Sequence, residues 1–281
     1  MQIGLLFPQT EFGTDAGGIR AYAQAAVSFG FTHLVSHEHV LGAEPARLPK
    51  DYAPYGLEDE FHEVLSTYAY IAGIAPGLGL ATGVLVLPQR QTALVAKQAA
   101  QVALLSEGRF RLGVGIGWNY AEFAGMGVDF RSRARRFEEQ IALLRRLWSE
   151  PVVNFRGEFD QVEGCGIRPL PPSPVPIWIG GTAEAALRRA ARLGDGWFPL
   201  RPLEGGWPAT LERMRVWRAE AGQAWEGFGI EARVIVKPGW REELEQWREW
   251  GATHVYLASP PGLRGARAHI QHLESISNQL A

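Results

Sequence analysis

Short apolar runs recur along the whole chain, and a segment with helical periodicity follows each of them. Several runs are continuous rather than alternating, which is typical of parallel strands that are buried on both faces. A strand and the helix after it form one βα unit, and the pattern contains eight such units. The predicted strands cover residues 3–7, 32–40, 78–87, 109–117, 176–180, 196–200, 232–237 and 253–258.

The helices predicted between these strands complete the pattern. Eight consecutive βα units close naturally into a barrel, so we predict an α/β fold, a (β/α)8 TIM barrel with loop insertions at its C-terminal face. An open doubly wound sheet is the structural alternative. The chain is predicted to form a single domain over residues 1–281. The predicted helices cover residues 15–30, 61–75, 92–106, 131–148, 183–194, 208–221, 241–251 and 264–279.

Two segments depart from the βα pattern. Residues 41–59 form an excursion rich in proline and glycine, without a regular element. Residues 151–175 form an insertion segment with two short β-like runs and several prolines, which predicts a hairpin or an extended strap over the barrel. We expect these loops to set the choice of substrate.

Charge and composition narrow the classes of partner. The net charge is −2, with 28 basic and 30 acidic residues, so nucleic acid is not an expected partner. No signal peptide and no apolar stretch long enough to span a bilayer is evident. Cys165 is the single cysteine, which excludes a disulfide within the chain and suits a cytoplasmic location. A small-molecule substrate is therefore expected, with no membrane partner.

Strand five ends in Gly180, Gly181 and Thr182, directly before a helix. Glycines let a ligand approach the backbone, Thr182 is a candidate N-cap, and the free N–H groups of the helix attract anions. These residues form a candidate phosphate seat. The alternative is an ordinary tight turn between a strand and a helix.

Two other strands carry glycines near their ends. Gly115 and Gly117 are followed by Trp118 and do not continue into a dinucleotide-binding fingerprint, so we expect them to leave room for a flat ring system. In strand three, Gly83 interrupts an apolar run between Thr82 and Val84, which indicates a bulge or the close approach of a ligand. A packing glycine is the alternative there.

Strand two ends in His37, Glu38 and His39. Strand alternation predicts that the two histidines point the same way and that Glu38 points oppositely. A histidine at the mouth of a barrel is a candidate proton donor or acceptor, although a hydrogen-bonded core histidine is the alternative. A metal would need a third ligand from another strand end, and none is evident, so we predict no metal.

Together, four stretches resemble the luciferase-like monooxygenase superfamily and, within it, the coenzyme F-420-dependent oxidoreductases. They are residues 35–40, 82–98, 104–139 and 174–199. The resemblance covers roughly residues 1–200 and is specific as a combination. It implies that the flavin or deazaflavin ring lies in the barrel mouth.

The resemblance also implies roles for single residues. It places a non-proline cis peptide at Gly83-Val84. It makes His39 and Glu38 the catalytic residues, with His39 as the proton-transfer group and Glu38 either tuning it or binding the cofactor. Relatives that oxidise sugar phosphates carry a glutamate where this chain has Trp118, so glucose-6-phosphate oxidation is not expected, and Glu122 is the nearby acid that could take that place. The implied cofactor-binding residues are Thr82, Gly83, Val84, Gly115, Gly117, Trp118, Gly180, Gly181 and Thr182.

Three functions follow as hypotheses. The first is an F-420-dependent oxidoreductase that transfers a hydride between the deazaflavin and a small organic substrate. The second is an FMN-dependent two-component monooxygenase that uses O2 and reduced flavin from a separate cofactor-reducing enzyme. The third is a non-catalytic flavin-binding barrel. The resemblance and the surplus of tryptophans on helices favour a homodimer.

Overall fold

The computed structural model describes residues 1–50 and 53–280. Residues 51 and 52, which belong to the predicted 41–59 excursion, and residue 281, at the end of the predicted domain, lie outside the described residues.

Eight positions around a closed parallel barrel are occupied by nine strands, which confirms the predicted fold class. β3 pairs with β2 on one side and with β5 on the other, while β4 continues the same barrel position and also pairs with β5. β1 and β11 close the ring. The strands are β1 (Gln2–Leu6), β2 (His33–Ser36), β3 (Gly79–Thr82), β4 (Leu85–Val86), β5 (Phe110–Gly115), β8 (Ile177–Gly180), β9 (Gly196–Phe198), β10 (Gly229–Ile235) and β11 (His254–Ala258), with β6 (Val153–Arg156) and β7 (Gln161–Cys165) outside the barrel.

The segment 151–175 contains the antiparallel pair β6 and β7, so the hairpin alternative for this insertion is confirmed. The register of this pair shifts between Val153 and Phe155. Val153 is fully buried while most of the pair is exposed, so the hairpin is attached to the barrel at its base.

The helices pack around the outside of the barrel, and their positions follow the predicted ones. Asp15 caps the first helix by accepting a hydrogen bond from the Gly18 N–H at 2.8 Å. None of the described helices is long and apolar enough to cross a membrane. The helices are α1 (Ala16–Ser28), α2 (Val64–Ile74), α3 (Thr92–Leu105), α4 (Tyr120–Gly125), α5 (Arg133–Ser149), α6 (Glu184–Leu193), α7 (Gly206–Glu220), α8 (Trp240–Glu249) and α9 (Gly265–Leu280).

Strand two and strand seven differ in length from their predictions. β2 ends at Ser36 rather than at residue 40, since the residues after Ser36 leave the ladder and direct their polar side chains to other partners. β10 begins at Gly229 rather than at residue 232, because Gly229 and Ile230 already pair with Gly196 and Trp197 of β9.

The apolar core has two parts. The larger part lies between the barrel and the helices and includes Leu34, Leu112 and Val234. The smaller part fills the inside of the barrel and consists of five buried side chains. They are Val35, Ala81, Trp178, Phe198 and Tyr256.

Candidate active site at the mouth of the barrel

The expected cis peptide lies between Gly83 and Val84, where β3 breaks and β4 begins. The Gly83 carbonyl accepts a hydrogen bond from His37 Nδ1 at 2.7 Å, which ties the break to the end of β2. A Cβ on Gly83 would lie 2.4 Å from Val35 Cγ1, so no larger residue fits. Glycine is therefore required at position 83 because the chain lies close to Val35 of β2 there.

The glycines of β5 and β8 make room for Val84. A Cβ on Gly115 would lie 2.7 Å from one Val84 methyl, and a Cβ on Gly180 would lie 2.8 Å from the other. Gly117, at φ +72°, similarly faces Val86 at 2.6 Å. Gly115 and Gly117 thus make room for valines of this chain, and the expectation that they also leave room for a ring stays a prediction.

Thr82 is fully buried, and its hydroxyl donates a 2.6 Å hydrogen bond to the Gly113 carbonyl on the adjacent strand. The hydroxyl thus holds β3 to β5 at the point where the ladder breaks. Its predicted contact with a cofactor stays a prediction.

His39 lies against a buried carboxylate. Its Nδ1 donates to Glu122 Oε2 at 3.0 Å, while the other oxygen of Glu122 accepts from the Val40 and Leu41 N–H groups at 2.6 and 3.1 Å. Burial alone would raise the pKa of Glu122, but the hydrogen bond and charge of His39 and the backbone donors outweigh it and lower the pKa. Glu122 is therefore ionised at neutral pH.

Aromatic rings surround the other faces of His39. The ring centroids of Phe61, Tyr55 and Trp118 lie 5.0, 5.5 and 5.6 Å from that of the imidazole. Phe61 and Tyr55 come from the segment between β2 and α2, and Trp118 follows β5. Hence, rings from two segments that are distant in sequence, one after β2 and one after β5, enclose one histidine.

Glu38 follows the end of β2, so strand alternation does not apply to it, and its partners are groups other than the two histidines. One oxygen accepts from Arg90 at 2.8 Å and the other from the Val86 N–H at 2.9 Å. Burial raises the pKa of Glu38, against the opposing effect of the Arg90 guanidinium. Both oxygens are occupied, and the carboxylate that contacts His39 is Glu122 instead.

Sequence reasoning named Glu122 only as an alternative acid, and the structure brings it to the histidine. Glu122 lies in α4, a short helix that was not predicted. The Asn119 side chain starts this helix by accepting from the Ala121 and Glu122 N–H groups at 3.1 and 3.3 Å. An Asx cap three residues before an acid was the available signal.

His37 is held neutral. Burial is the main reason why the pKa of His37 is lowered to about 4. The bond to the Gly83 carbonyl opposes this shift, and the charges of Arg233 and His39 add to it. Its Nδ1 carries the proton, because a carbonyl oxygen is its partner. His37 therefore acts in this structure as a fixed donor to the broken strand.

The candidate phosphate seat differs in detail from the prediction. The N-cap of α6 is Ala183, with no side-chain cap, so the expectation that Thr182 caps this helix is wrong. The chain leaves β8 through Gly181 at φ +146°, and α6 begins at Glu184. Thr182 and Ala183 are exposed, and the first-turn N–H groups have no side-chain acceptor.

The predicted residues converge on one end of the barrel. His37 contacts Gly83, Val84 contacts Gly115 and Gly180, and the rings of His39 and Trp118 are neighbours. In a (β/α)8 barrel, the end at which the strands finish is the end that carries active sites. The fold is that of an α/β-barrel enzyme, and the pair of His39 and Glu122 forms a candidate active site at that end.

The chain belongs to the luciferase-like monooxygenase family, whose family model matches residues 1–273. It is an oxidoreductase of that family. An uncharacterized protein of Mycobacterium tuberculosis is 34% identical over 261 residues, which cover 89% of this chain and 88% of the relative. The FMNH2-dependent dimethylsulfone monooxygenase of Pseudomonas fluorescens is 30% identical over 82% of this chain and 59% of the relative.

Among solved structures, an F-420-dependent secondary alcohol dehydrogenase superposes with a TM-score of 0.73. The superposition covers 92% of this chain and 93% of the other, at 16% sequence identity. At that identity the likeness concerns the fold alone.

Proposed function

We propose that this protein is an F-420-dependent oxidoreductase that transfers a hydride between the deazaflavin and a small organic substrate. The observation that supports it best is the pair of His39 and Glu122, which lies beside the broken strand at the barrel mouth. When bound, the deazaflavin supplies or accepts the hydride. The chain must then move a proton to or from the substrate oxygen.

His39 is suited to that proton transfer. Its Nδ1 donates to Glu122, so in the neutral ring the other nitrogen, Nε2, is the proton acceptor. Within the described part of the chain, Nε2 has no hydrogen-bond partner. Glu122 would stabilise the imidazolium formed when Nε2 takes a proton, and it fixes the orientation of the ring.

Glu38 is proposed to act as a positioning residue for the same site. It anchors the first turn after the break through the Val86 N–H and holds Arg90 at the start of α3. Because Val84 lies between the break and Val86, this anchoring also fixes the position of Val84.

The residues at the mouth fit a flavin-type cofactor. Val84 is partly exposed while both of its methyl groups rest on glycines, so it offers a fixed apolar surface to a ring. Trp118 lies beside His39 at the same end of the barrel. The uncapped first turn of α6, with Gly180, Gly181 and Thr182 before it, would hold the phosphate group.

A two-component FMN monooxygenase is the second candidate. The relative whose name states an FMNH2 requirement is 30% identical over most of this chain, which favours this candidate. It would use the same mouth and would require a separate enzyme to reduce the flavin.

Titration of the purified chain with F-420 and, separately, with FMN distinguishes the two. We expect F-420 to quench tryptophan fluorescence with the tighter binding, and we expect Trp118→Phe to lose most of that quenching. Trp217→Phe, on the outer helix α7, is the matched control and should keep it. Binding of FMN alone would select the second candidate, and binding of neither cofactor would overturn the proposed function.

A further inference from the structure

Arg233 is a charged residue in the middle of a barrel strand. Along β10, Ala232 and Val234 belong to the larger core between barrel and helices, so they face outward. Alternation then directs Arg233 into the barrel, as it does Glu231, which contacts His33 inside. The register agrees, because Arg233 lies beside Tyr256, a member of the inner cluster.

The Arg233 side chain is nevertheless exposed, whereas its neighbours Ala232 and Val234 are fully buried. Glu231, one layer further down in the interior, is also fully buried. Solvent therefore reaches Arg233 only from the mouth. The guanidinium lies in the open upper part of the barrel interior.

No acidic group among the described residues neutralises Arg233. Within residues 1–50 and 53–280, the side chain of Arg233 forms no ion pair and no hydrogen bond. The acids nearest to the mouth are engaged elsewhere, Glu122 with His39 and Glu38 with Arg90. Glu231 below is bound by His33 and Arg111.

The surroundings of Arg233 are aromatic and partly polar. The charge of Arg233 helps to lower the pKa of His37. It also acts to lower the pKa of Tyr256, although burial has the larger effect there and raises it. Phe198 belongs to the same inner cluster as Tyr256. An unneutralised guanidinium above apolar rings is the chemistry that recognises a carboxylate attached to an apolar body.

We propose that Arg233 binds the anionic group of the substrate, and that the substrate is a small organic carboxylate. Calling this ligand the substrate rests on the proposed function. The candidate phosphate seat follows β8, two strands away from β10 around the barrel, so the cofactor phosphate and Arg233 occupy different parts of the mouth. A carboxylate on Arg233 would direct the rest of the molecule toward Val84 and His39.

A matched pair of probes tests the charge requirement on the cofactor-free chain. We measure the binding of para-fluorobenzoate and para-fluorobenzamide by fluorine NMR, since the two differ in charge and hardly in shape. We expect the benzoate to bind about tenfold more tightly, which is the size of one charge-assisted contact. Arg233→Met should abolish that preference, and Arg233→Lys should keep part of it.

Arg213→Met, on the exposed face of α7, is the control and should bind both probes as the natural chain does. Circular dichroism and a thermal melt establish whether each variant is folded. If Arg233→Met does not fold, Arg233→Lys still tests the proposal. Equal binding of the two probes, or a preference that survives in Arg233→Met, would overturn the proposal. Loss of the benzoate when the cofactor is added would assign Arg233 to the cofactor and overturn the substrate role.

These outcomes are independent of the cofactor titration. If neither F-420 nor FMN binds while Arg233 still selects the benzoate, the anion site stands and the proposed function fails. If a cofactor binds and the preference for the benzoate is absent, the proposed function stands and the anion site at Arg233 fails.

Discussion

The two ends of the barrel interior treat charge in opposite ways, and β10 contributes to both. At the lower end, Glu231 is fully buried and its two oxygens contact His33 Nε2 at 2.5 Å and Arg111 at 2.6 Å. At the upper end, Arg233 is exposed and has no partner of opposite charge within the described residues. The lower charges are internal to the fold, while the upper charge remains available to a ligand.

The lower end is also filled by packing. Trp178 occupies the interior where Gly196 and Gly229 leave space, since a Cβ on either glycine would lie 2.3 or 2.0 Å from the indole ring. Arg111 lies over that ring at 4.8 Å, and His254 meets it edge-on at 5.1 Å. Among the described residues, no equivalent large side chain covers Arg233, which is exposed. The comparison teaches that side chains and paired charges fill the lower end of the barrel interior, while the upper end leaves a charged side chain exposed.

The largest expected effect tests the lower end. Glu231→Gln removes the carboxylate that lies between Arg111 and His33. The charge of Arg111 is then left without a partner in the barrel interior, so we expect the free energy of unfolding to fall by about 3–5 kcal/mol. Urea denaturation followed by circular dichroism measures it. Arg233→Met is the matched change on the same strand and should alter stability by about 1 kcal/mol or less. Equal losses in the two variants would refute the comparison.

The same variant gives a pH signature. Burial is the largest single effect on Glu231 and would raise its pKa, but the charges of His33 and Arg111 and the hydrogen bond from His33 together lower the pKa below its ordinary value of 4.5. A lowered carboxylate pKa contributes stability that is present above the unfolded value and is lost as the pH falls through the folded value. The difference between the natural chain and Glu231→Gln should therefore shrink below about pH 4.5.

The next effect tests the catalytic side of the upper end. His39→Ala should reduce turnover at least about 100-fold, because a positioned proton-transfer group contributes that much or more. Cofactor binding, measured by the fluorescence titration, should be retained. His272→Ala, on the outer helix α9, is the control and should keep full turnover. Unchanged turnover in His39→Ala would remove His39 from the mechanism.

A smaller effect comes from His37. Its folded pKa of about 4 lies below the ordinary 6.5, so the unfolded chain binds the proton first as the pH falls. Stability is therefore lost between about pH 6.5 and pH 4, by about 2 kcal/mol. His37→Gln keeps a donor for the Gly83 carbonyl and should lose that much less stability between pH 7 and pH 4. An identical pH dependence in both chains would contradict the assignment.

The smallest effect connects the anion site to its neighbours. Arg233 is one cause of the low pKa of His37, after burial. Arg233→Met should therefore raise the pKa of His37 from about 4, by about one unit or less, as seen in an NMR titration of the imidazole. Arg213→Met should leave it unchanged. No movement in Arg233→Met would place the guanidinium further from His37 than the structure does.

The sequence by itself determined the barrel, since apolar continuity marks a strand that is buried on both faces and eight such strands close into a ring. It also located the broken third strand, because Gly83 stands inside an apolar run, and the His37 to His39 segment at the mouth. These features depend on residues that are close together along the chain, so the pattern of apolar and polar positions predicts them.

The tertiary structure alone decided which groups meet. Glu122 reaches His39 from 83 positions away, and the methyl groups of Val84 lie against Gly115 and Gly180, two glycines from different strands. Glu231 and Arg233 are two residues apart and point the same way, yet one is buried among partners and the other is open. Alternation specifies the face of a strand, but the depth at which a side chain lies and the partner it meets depend on the stagger and order of all eight strands.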